Sequence, residues 1–274
     1  QDLLDATGPR GVYISDDYSL TVSVNGTDHV TLRSLASGLQ LEEAWARLSV
    51  LDDDFTNALD FAFDERLGYL TGSIRHVGTG LRAAAFVHLP GLTMAGELDQ
   101  LERARATRHI VEPMFGGLKD VQGDIFEISN RATLGPSEEE ILYHLRQFVI
   151  EAIEKEMNLR ATFQNQAVSH MQDRVGRALG VVRGARLLGF AEAVELLSAL
   201  RLGVDTGFLG DVIGRHAPRT LLHQMNELLV VSQEAHVKME AVARSLQAGD
   251  PLSSVYDDAT LSAVRAEMFR ARFS

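Results

Sequence analysis

The stretch Asp64-Glu-Arg-Leu-Gly-Tyr-Leu-Thr-Gly-Ser-Ile-Arg-His-Val-Gly-Thr-Gly-Leu-Arg82 decides how this chain is read. Gly78-Thr-Gly80 marks a bend in it. Ahead of that bend lie Ser73, Ile74, Arg75 and His76, which carry a hydroxyl, a guanidinium and an imidazole. The run from Gly80 to Leu89 is compact and apolar and predicts a buried strand. Pro90-Gly91 ends it.

On the N-terminal side, residues 10–35 read as β. Val12 and Ile14, then Leu20, Val22 and Val24, then Val30 and Leu32 alternate with polar neighbours. Asp16-Asp17 marks a turn. Asn25-Gly26 marks a hairpin, because both residues tolerate positive φ. Leu41, Ala44, Trp45, Leu48, Leu51 and Phe55 follow helical spacing and predict a helix within 40–62. On the C-terminal side, Leu92 to Arg105 predicts a helix and Asp124 to Ser129 a strand. At residue 136 the character changes. Ser137 and Glu140 form a capping-box start, and Ile141, Leu145, Phe148, Ala152 and Ile153 share one helix face. Beyond residue 165 only helical patterns follow, over roughly 167–182, 188–202, 218–246 and 257–272. The expected architecture is α+β followed by all-α.

The bulk properties exclude several classes. The chain has 274 residues, 45% hydrophobic and 23% charged, with a formal net charge of −12. That balance argues against a general nucleic-acid or anionic-membrane binder, which needs clustered Lys and Arg. No apolar run approaches about 18 residues, so no membrane span is expected. Zero cysteines exclude disulfides, thiolate metal sites and a cysteine nucleophile, and fit a cytoplasmic protein. The histidines show no metal-ligand spacing on one helix face, and the Glu138–Glu140 run reads as helix N-terminal charge. The first residue is Gln1 and no signal-peptide pattern follows, so the expectation is a fragment or processed form.

Gly68-Tyr-Leu-Thr71 and Gly78-Thr-Gly-Leu-Arg82 resemble the signature of the ATP:guanido phosphotransferases, the phosphagen kinase family. Asn25-Gly-Thr-Asp-His29, Leu39-Gln-Leu-Glu-Glu-Ala44, Gly123-Asp-Ile-Phe-Glu-Ile-Ser-Asn130 and Thr133-Leu-Gly135 also resemble it, in order. Asp173-Arg-Val175 and Arg201-Leu-Gly-Val-Asp205 resemble the helical domain of bacterial McsB-type protein arginine kinases. The resemblance implies a catalytic lobe over 1–150, an antiparallel sheet flanked by helices, and a helical domain over 151–274. It implies Mg-ATP as cofactor and arginine side chains on proteins as substrate. It further implies a Clp protease or a McsA-like adaptor as partner, and a homodimer.

The reactive positions depart from the family. Where the family has Cys-Pro-Thr-Asn, this chain has Ser73-Ile74-Arg75-His76, so the cysteine position is Ser73. A guanidinium-holding glutamate falls at Thr27. One phosphate-clamp arginine falls at Thr31, with Arg33 two residues on and on the same strand face. The Arg-Gly-x-x-Gly-Glu loop reads Glu112-Pro-Met-Phe-Gly-Gly117, so its arginine is Glu112 and its glutamate Gly117. Arg82 keeps a clamp position. Losing two clamp arginines costs about 3–6 kcal/mol, on the order of 10²–10⁴ in affinity or rate. The expected reading is an impaired, pseudokinase-like site acting by partner binding. An active kinase would rely on Arg33, Arg75 and Arg82 for phosphates and on Asp120 or Glu127 as acid. A third reading rests on the family's C-terminal Arg-Asp-x-x-Arg-Ala phosphoarginine pocket, where this chain has Leu261-Ser-Ala-Val-Arg-Ala266. Arg265 would then take phosphoarginine. Blander roles stand beside these: Arg82 as an ion-pair partner, Ser73 as a cap, and Asp28 and His29 as props of the hairpin. The family's Ser-x-Arg-x-Arg nucleotide segment is expected to precede residue 1.

Overall fold

A computed structural model of the chain describes residues 9–114, 123–209 and 258–273. The chain divides into two compact units. The first comprises residues 1–86, 99–111 and 127–152, and the second residues 87–98, 112–126 and 153–274.

The first unit opens with an antiparallel meander of β1 (Gly11–Ile14), β2 (Leu20–Val24) and β3 (Val30–Ser34). Val22 pairs with Tyr13 on one side and Leu32 on the other. The hairpin between β2 and β3 turns at Asn25, whose φ is +59°, as the Asn-Gly signal predicts. Helix α1 (Leu41–Ala58) packs against β3. Its apolar stripe is half-buried, and none of its residues is fully buried. A short hairpin, β4 (Phe63–Asp64) and β5 (Gly68–Tyr69), leads into a single 3₁₀ turn at Ile74–His76.

A second three-stranded sheet has the order β6 (Ala84–His88), β8 (Ile125–Asn130), β7 (His109–Pro113). Asn130 N donates to Ala83 O at one end of the β6–β8 pair, and Leu89 N donates to Asp124 O at the other, so the two strands run antiparallel. The strand expected over Gly80–Leu89 is thus shorter than the apolar run, and Phe86 within it is half-exposed. The helix expected over Leu92–Arg105 is two helices, α2 (Pro90–Ala95) and α3 (Leu98–Arg105). Gly96, at φ +68°, ends α2 by donating to Leu92 O and Thr93 O. Strand β7 has no counterpart in the sequence reading.

Helix α4 (Glu138–Gln166) starts at the expected capping box. Glu140 N donates to Ser137 Oγ at 3.2 Å, and Ser137 N donates to Glu140 Oε2 at 3.0 Å. Helices α5 (Val168–Gly184), α6 (Phe190–Asp205) and α7 (Asp258–Phe273) follow. α5 packs on α6 and α7 around Val175, Val182, Leu188, Leu200, Ala266 and Phe269, all buried. Their periodic apolar faces place this core in the second unit. The helix expected over 218–246 lies outside the described residues.

Candidate functional site

The loop between β5 and β6 is pinched at its base. Tyr69 N donates to Gly78 O at 2.8 Å, and Gly78 N returns a bond to Tyr69 O at 3.2 Å. Gly68 (φ +76°) and Gly78 (φ +117°) lie in the left-handed half of backbone space. A Cβ on Gly68 would sit 2.4 Å from Gly78 O, and one on Gly78 would sit 2.2 Å from Thr133 O. Two side chains, one at the end of β8 and one from the segment that follows it, fasten this loop. Thr133 Oγ1 lies 2.7 Å from Val77 O and 3.0 Å from Arg75 O, and its one proton serves either. Asn130 accepts from Ala83 N at 2.8 Å and donates to Leu81 O at 3.0 Å. Sequence reasoning placed Asn130 and Thr133 in family-like segments but gave them no role. Their partners lie far back along the chain, and local pattern carries no trace of that.

Two of the expected site positions come together. Asp28 Oδ1 accepts from Gly72 N at 2.5 Å, and a Cβ on Gly72 would lie 2.4 Å from Thr27 O. The hairpin tip with Thr27 therefore lies against the loop segment that carries Ser73. Asp28 Oδ2 is 4.0 Å from His76 Nδ1. Ser73 is half-buried, and its carbonyl accepts from Thr71 Oγ1 at 2.8 Å and His76 N at 2.9 Å, which shapes the 3₁₀ turn. The contact between hairpin tip and loop runs through backbone atoms and Asp28, which accepts from Gly72 N and lies near His76. Neither Thr27 nor Ser73 supplies the charge that would hold a guanidinium.

Arg82 ends the loop. Its NH2 is 2.5 Å from Glu127 Oε1 on β8, with the Arg82 side chain 51% exposed and Glu127 22% exposed. Arg75 is exposed on the 3₁₀ turn beside Ile74, which is 89% exposed and fills no pocket. Arg33 is exposed on β3, opposite Thr21, and half-buried Thr31 lies two residues before it. Glu112 is exposed on β7. Gly117 and Asp120 lie outside the described residues. Arg265 is 4% exposed in α7. Its NH1 donates to Leu188 O at 2.7 Å, and its guanidinium carbon lies 5.8 Å from the centre of the Phe190 ring. Among the described residues no group of three or more His, Asp or Glu gathers at metal-binding distance.

An antiparallel-sheet lobe with a glycine-pinched loop ending in an arginine, succeeded by helices, agrees with the order that the resemblance to the guanido kinases implies. The family model for the ATP:guanido phosphotransferase C-terminal catalytic domain matches residues 3–159, and that for the protein-arginine kinase McsB C-terminal domain matches residues 168–274. The chain belongs to the ATP:guanido phosphotransferase family, in its McsB-type protein-arginine kinase branch. It is 36% identical over 264 residues to the protein-arginine kinase of Syntrophomonas wolfei subsp. wolfei, covering 96% of this chain and 68% of that one. It is 37% identical over 266 residues to the protein-arginine kinase of Symbiobacterium thermophilum, covering 97% and 70%. Among solved structures, the duplicated taurocyamine kinase of Schistosoma mansoni with bound transition-state-analogue components superposes with a TM-score of 0.53 at 22% identity. That match covers 64% of this chain and 25% of the other. Lombricine kinase gives 0.50 at 26%, covering 56% and 43%. The chain therefore spans less than half of either solved structure, and the likeness to the taurocyamine kinase is one of fold.

Proposed function

We propose that this chain is a protein-arginine kinase homologue with an impaired phosphotransfer site, acting by binding a protein partner. One observation carries the reading. Arg82, the clamp position this chain retains, is engaged by Glu127 at 2.5 Å, while Thr27, Thr31, Ser73, Glu112 and Gly117 occupy other reactive positions. Phosphoryl transfer is accelerated by cations preoriented around the transferring group. A carboxylate resting on the remaining arginine competes with a nucleotide phosphate for the same donors. Mg-ATP fits the described residues poorly, because the clamp arginine that is kept already holds a carboxylate.

In this reading the lobe over 1–150 is a retained frame, and the helical part over 151–274 docks a partner or a second copy. The names of the relatives support a protein as the thing bound. A Clp protease, a McsA-like adaptor and a homodimer are the partners that the family resemblance suggests. A cytoplasmic setting belongs to the same proposal and is supported by the absence of cysteine. No described helix is long and apolar enough to cross a membrane. The phosphoarginine-reader role for Arg265 has weaker support, because that guanidinium is buried and donates to a backbone carbonyl.

The test is incubation with Mg-ATP and an arginine-rich protein, with phosphoarginine read by mass spectrometry. The expected yield equals that of an Arg82→Ala variant. Stoichiometric phosphoarginine that disappears in Arg82→Ala overturns the proposal in favour of an active kinase built on Arg33, Arg75 and Arg82.

A further inference from the structure

Residues 9–82 leave much apolar surface uncovered. No hydrophobic side chain in that stretch is fully buried, whereas Leu89, Ile128, Leu145 and Phe148 beyond it are. The clearest case is β1, where Val12, Tyr13 and Ile14 are 48%, 73% and 56% exposed. The strand is thus open on both faces. Tyr13 lies opposite Val22, with Leu32 beyond, on one face, and Val12 and Ile14 lie opposite Ser23 and Thr21 on the other. β1 is also an edge strand, since its sheet has the order β1-β2-β3.

Backbone hydrogen bonding sets which groups this edge offers. Ser15 N donates to Leu20 O at 3.0 Å, and the same register continues as Tyr13 with Val22 and Gly11 with Val24. Bonded pairs recur at every second residue of an antiparallel ladder. Gly11 and Tyr13 therefore turn their N–H and C=O groups toward β2, and Val12 and Ile14 turn theirs outward. An uncovered apolar edge is a template for another strand unless Lys, Pro or a bulge blunts it. Gly11-Val-Tyr-Ile14 has none of these and carries no charge. The charges flank it, with Arg10 before the strand and Asp16 after it.

We propose that β1 is an interface with a second copy of this chain, the two β1 strands pairing antiparallel about a two-fold axis at Tyr13. The outward groups of Val12 then meet those of Ile14 of the second copy, and the two side chains pack on one face. The same register sets Arg10 across from Asp16 of the second copy, twice by symmetry. Pairings that oppose even-numbered residues are those that join the outward groups. An axis at Val12 would put Arg10 against Ile14, and an axis at Ile14 would put Asp16 against Val12. The axis at Tyr13 is the one that matches charge with charge. On that face the strand reads cation, apolar, apolar, acid, which is complementary to its own reverse. This interface lies in the first unit and is independent of the helical docking proposed above.

The chain has no cysteine, so Tyr13→Cys places a single thiol at the axis. Across a non-hydrogen-bonded antiparallel pair the Cα atoms are about 4.5 Å apart, and a disulfide spans about 4.4–6.8 Å. Oxidised glutathione should convert this variant to a disulfide-linked dimer at least about tenfold faster than Tyr18→Cys, an equally exposed site on the turn. Sedimentation of the unaltered full chain should show a monomer–dimer equilibrium. Val12→Lys should weaken it at least about tenfold, and Arg10→Asp about three- to tenfold. Arg10→Asp combined with Asp16→Arg should recover the affinity of the unaltered chain. The comparison of the two thiols decides the matter even if Val12→Lys folds poorly. A chain that stays monomeric with both thiols reacting alike overturns the proposal, and so does a dimer that Val12→Lys leaves intact. Hydrogen exchange that finds the Val12 and Ile14 amides protected in a monomer also overturns it, and gives the edge to another segment of the same chain.

Discussion

Gly78 leaves a side chain no room: its φ is +117°, and a Cβ there would lie 2.2 Å from Thr133 O. Backbone strain and a collision with backbone act together, so Gly78→Ala should cost about 2–4 kcal/mol, read as a lower urea midpoint at unchanged slope. Gly135 is the matched control. It has φ +106° with open space around it, so Gly135→Ala should cost less, about 1–2 kcal/mol from conformation alone. The sequence marked Gly78-Thr-Gly80 as a bend. It could not identify Thr133 as the reason, because the collision exists only once β8 lies beside β6. The Arg82–Glu127 pair is different in kind. Both side chains reach water, so its contribution to stability is small, and its importance lies in which charge Arg82 shows to a ligand.

At the level of elements, local signals were read well where the cause is local. The capping box at Ser137 and Glu140 is made of residues three apart, and both reciprocal bonds form. Ser137→Ala should lower stability by about 1 kcal/mol in thermal denaturation, and Ser137→Thr should recover most of it. The periodicity over Leu92–Arg105 suited a single helix, but Gly96 in the left-handed region closes α2 and starts a new segment. The apolar run from Gly80 overstated β6, because the Asn130 side chain occupies Leu81 O and Ala83 N in place of ladder partners. Strand β7 was missed outright. Its sequence, His109-Ile-Val-Glu-Pro113, is short and ends in proline, and only pairing with β8 makes it a strand.

Across the whole molecule, buried neutral histidines set the response to acid. His109 is 3% exposed, with its ring 4.8 Å from the Phe148 ring, and its Nδ1 has no partner among the described residues. Burial first, then Arg105, His144 and Arg108, push its pKa from 6.5 to about 4, with Glu151 opposing. His88 is lowered as well, chiefly by burial. The unfolded chain therefore takes up protons that the folded chain refuses. Stability from His109 is complete above pH 6.5 and is lost as pH falls toward 4, by about 1–3 kcal/mol. Urea unfolding at pH 7, 6 and 5 should show the decline, and His109→Leu should flatten part of it. An unchanged pH slope in that variant would assign the decline to other groups.

Sequence alone determined the family frame, the α+β-then-α order, the hairpin at Asn25 and the start of α4, since each depends on residues adjacent or one helical turn apart. It also supplied the identities at Thr27, Thr31, Ser73, Glu112 and Gly117. Tertiary structure decided what the cations do. Arg82 faces Glu127, Arg265 is enclosed between Leu188 O and the Phe190 ring, and Arg201 Nε is enclosed with no acceptor among the described residues. The physical reason is range. Backbone conformation is set largely by neighbours in the chain, whereas the work a charge can do is set by whichever distant groups folding brings within hydrogen-bond reach.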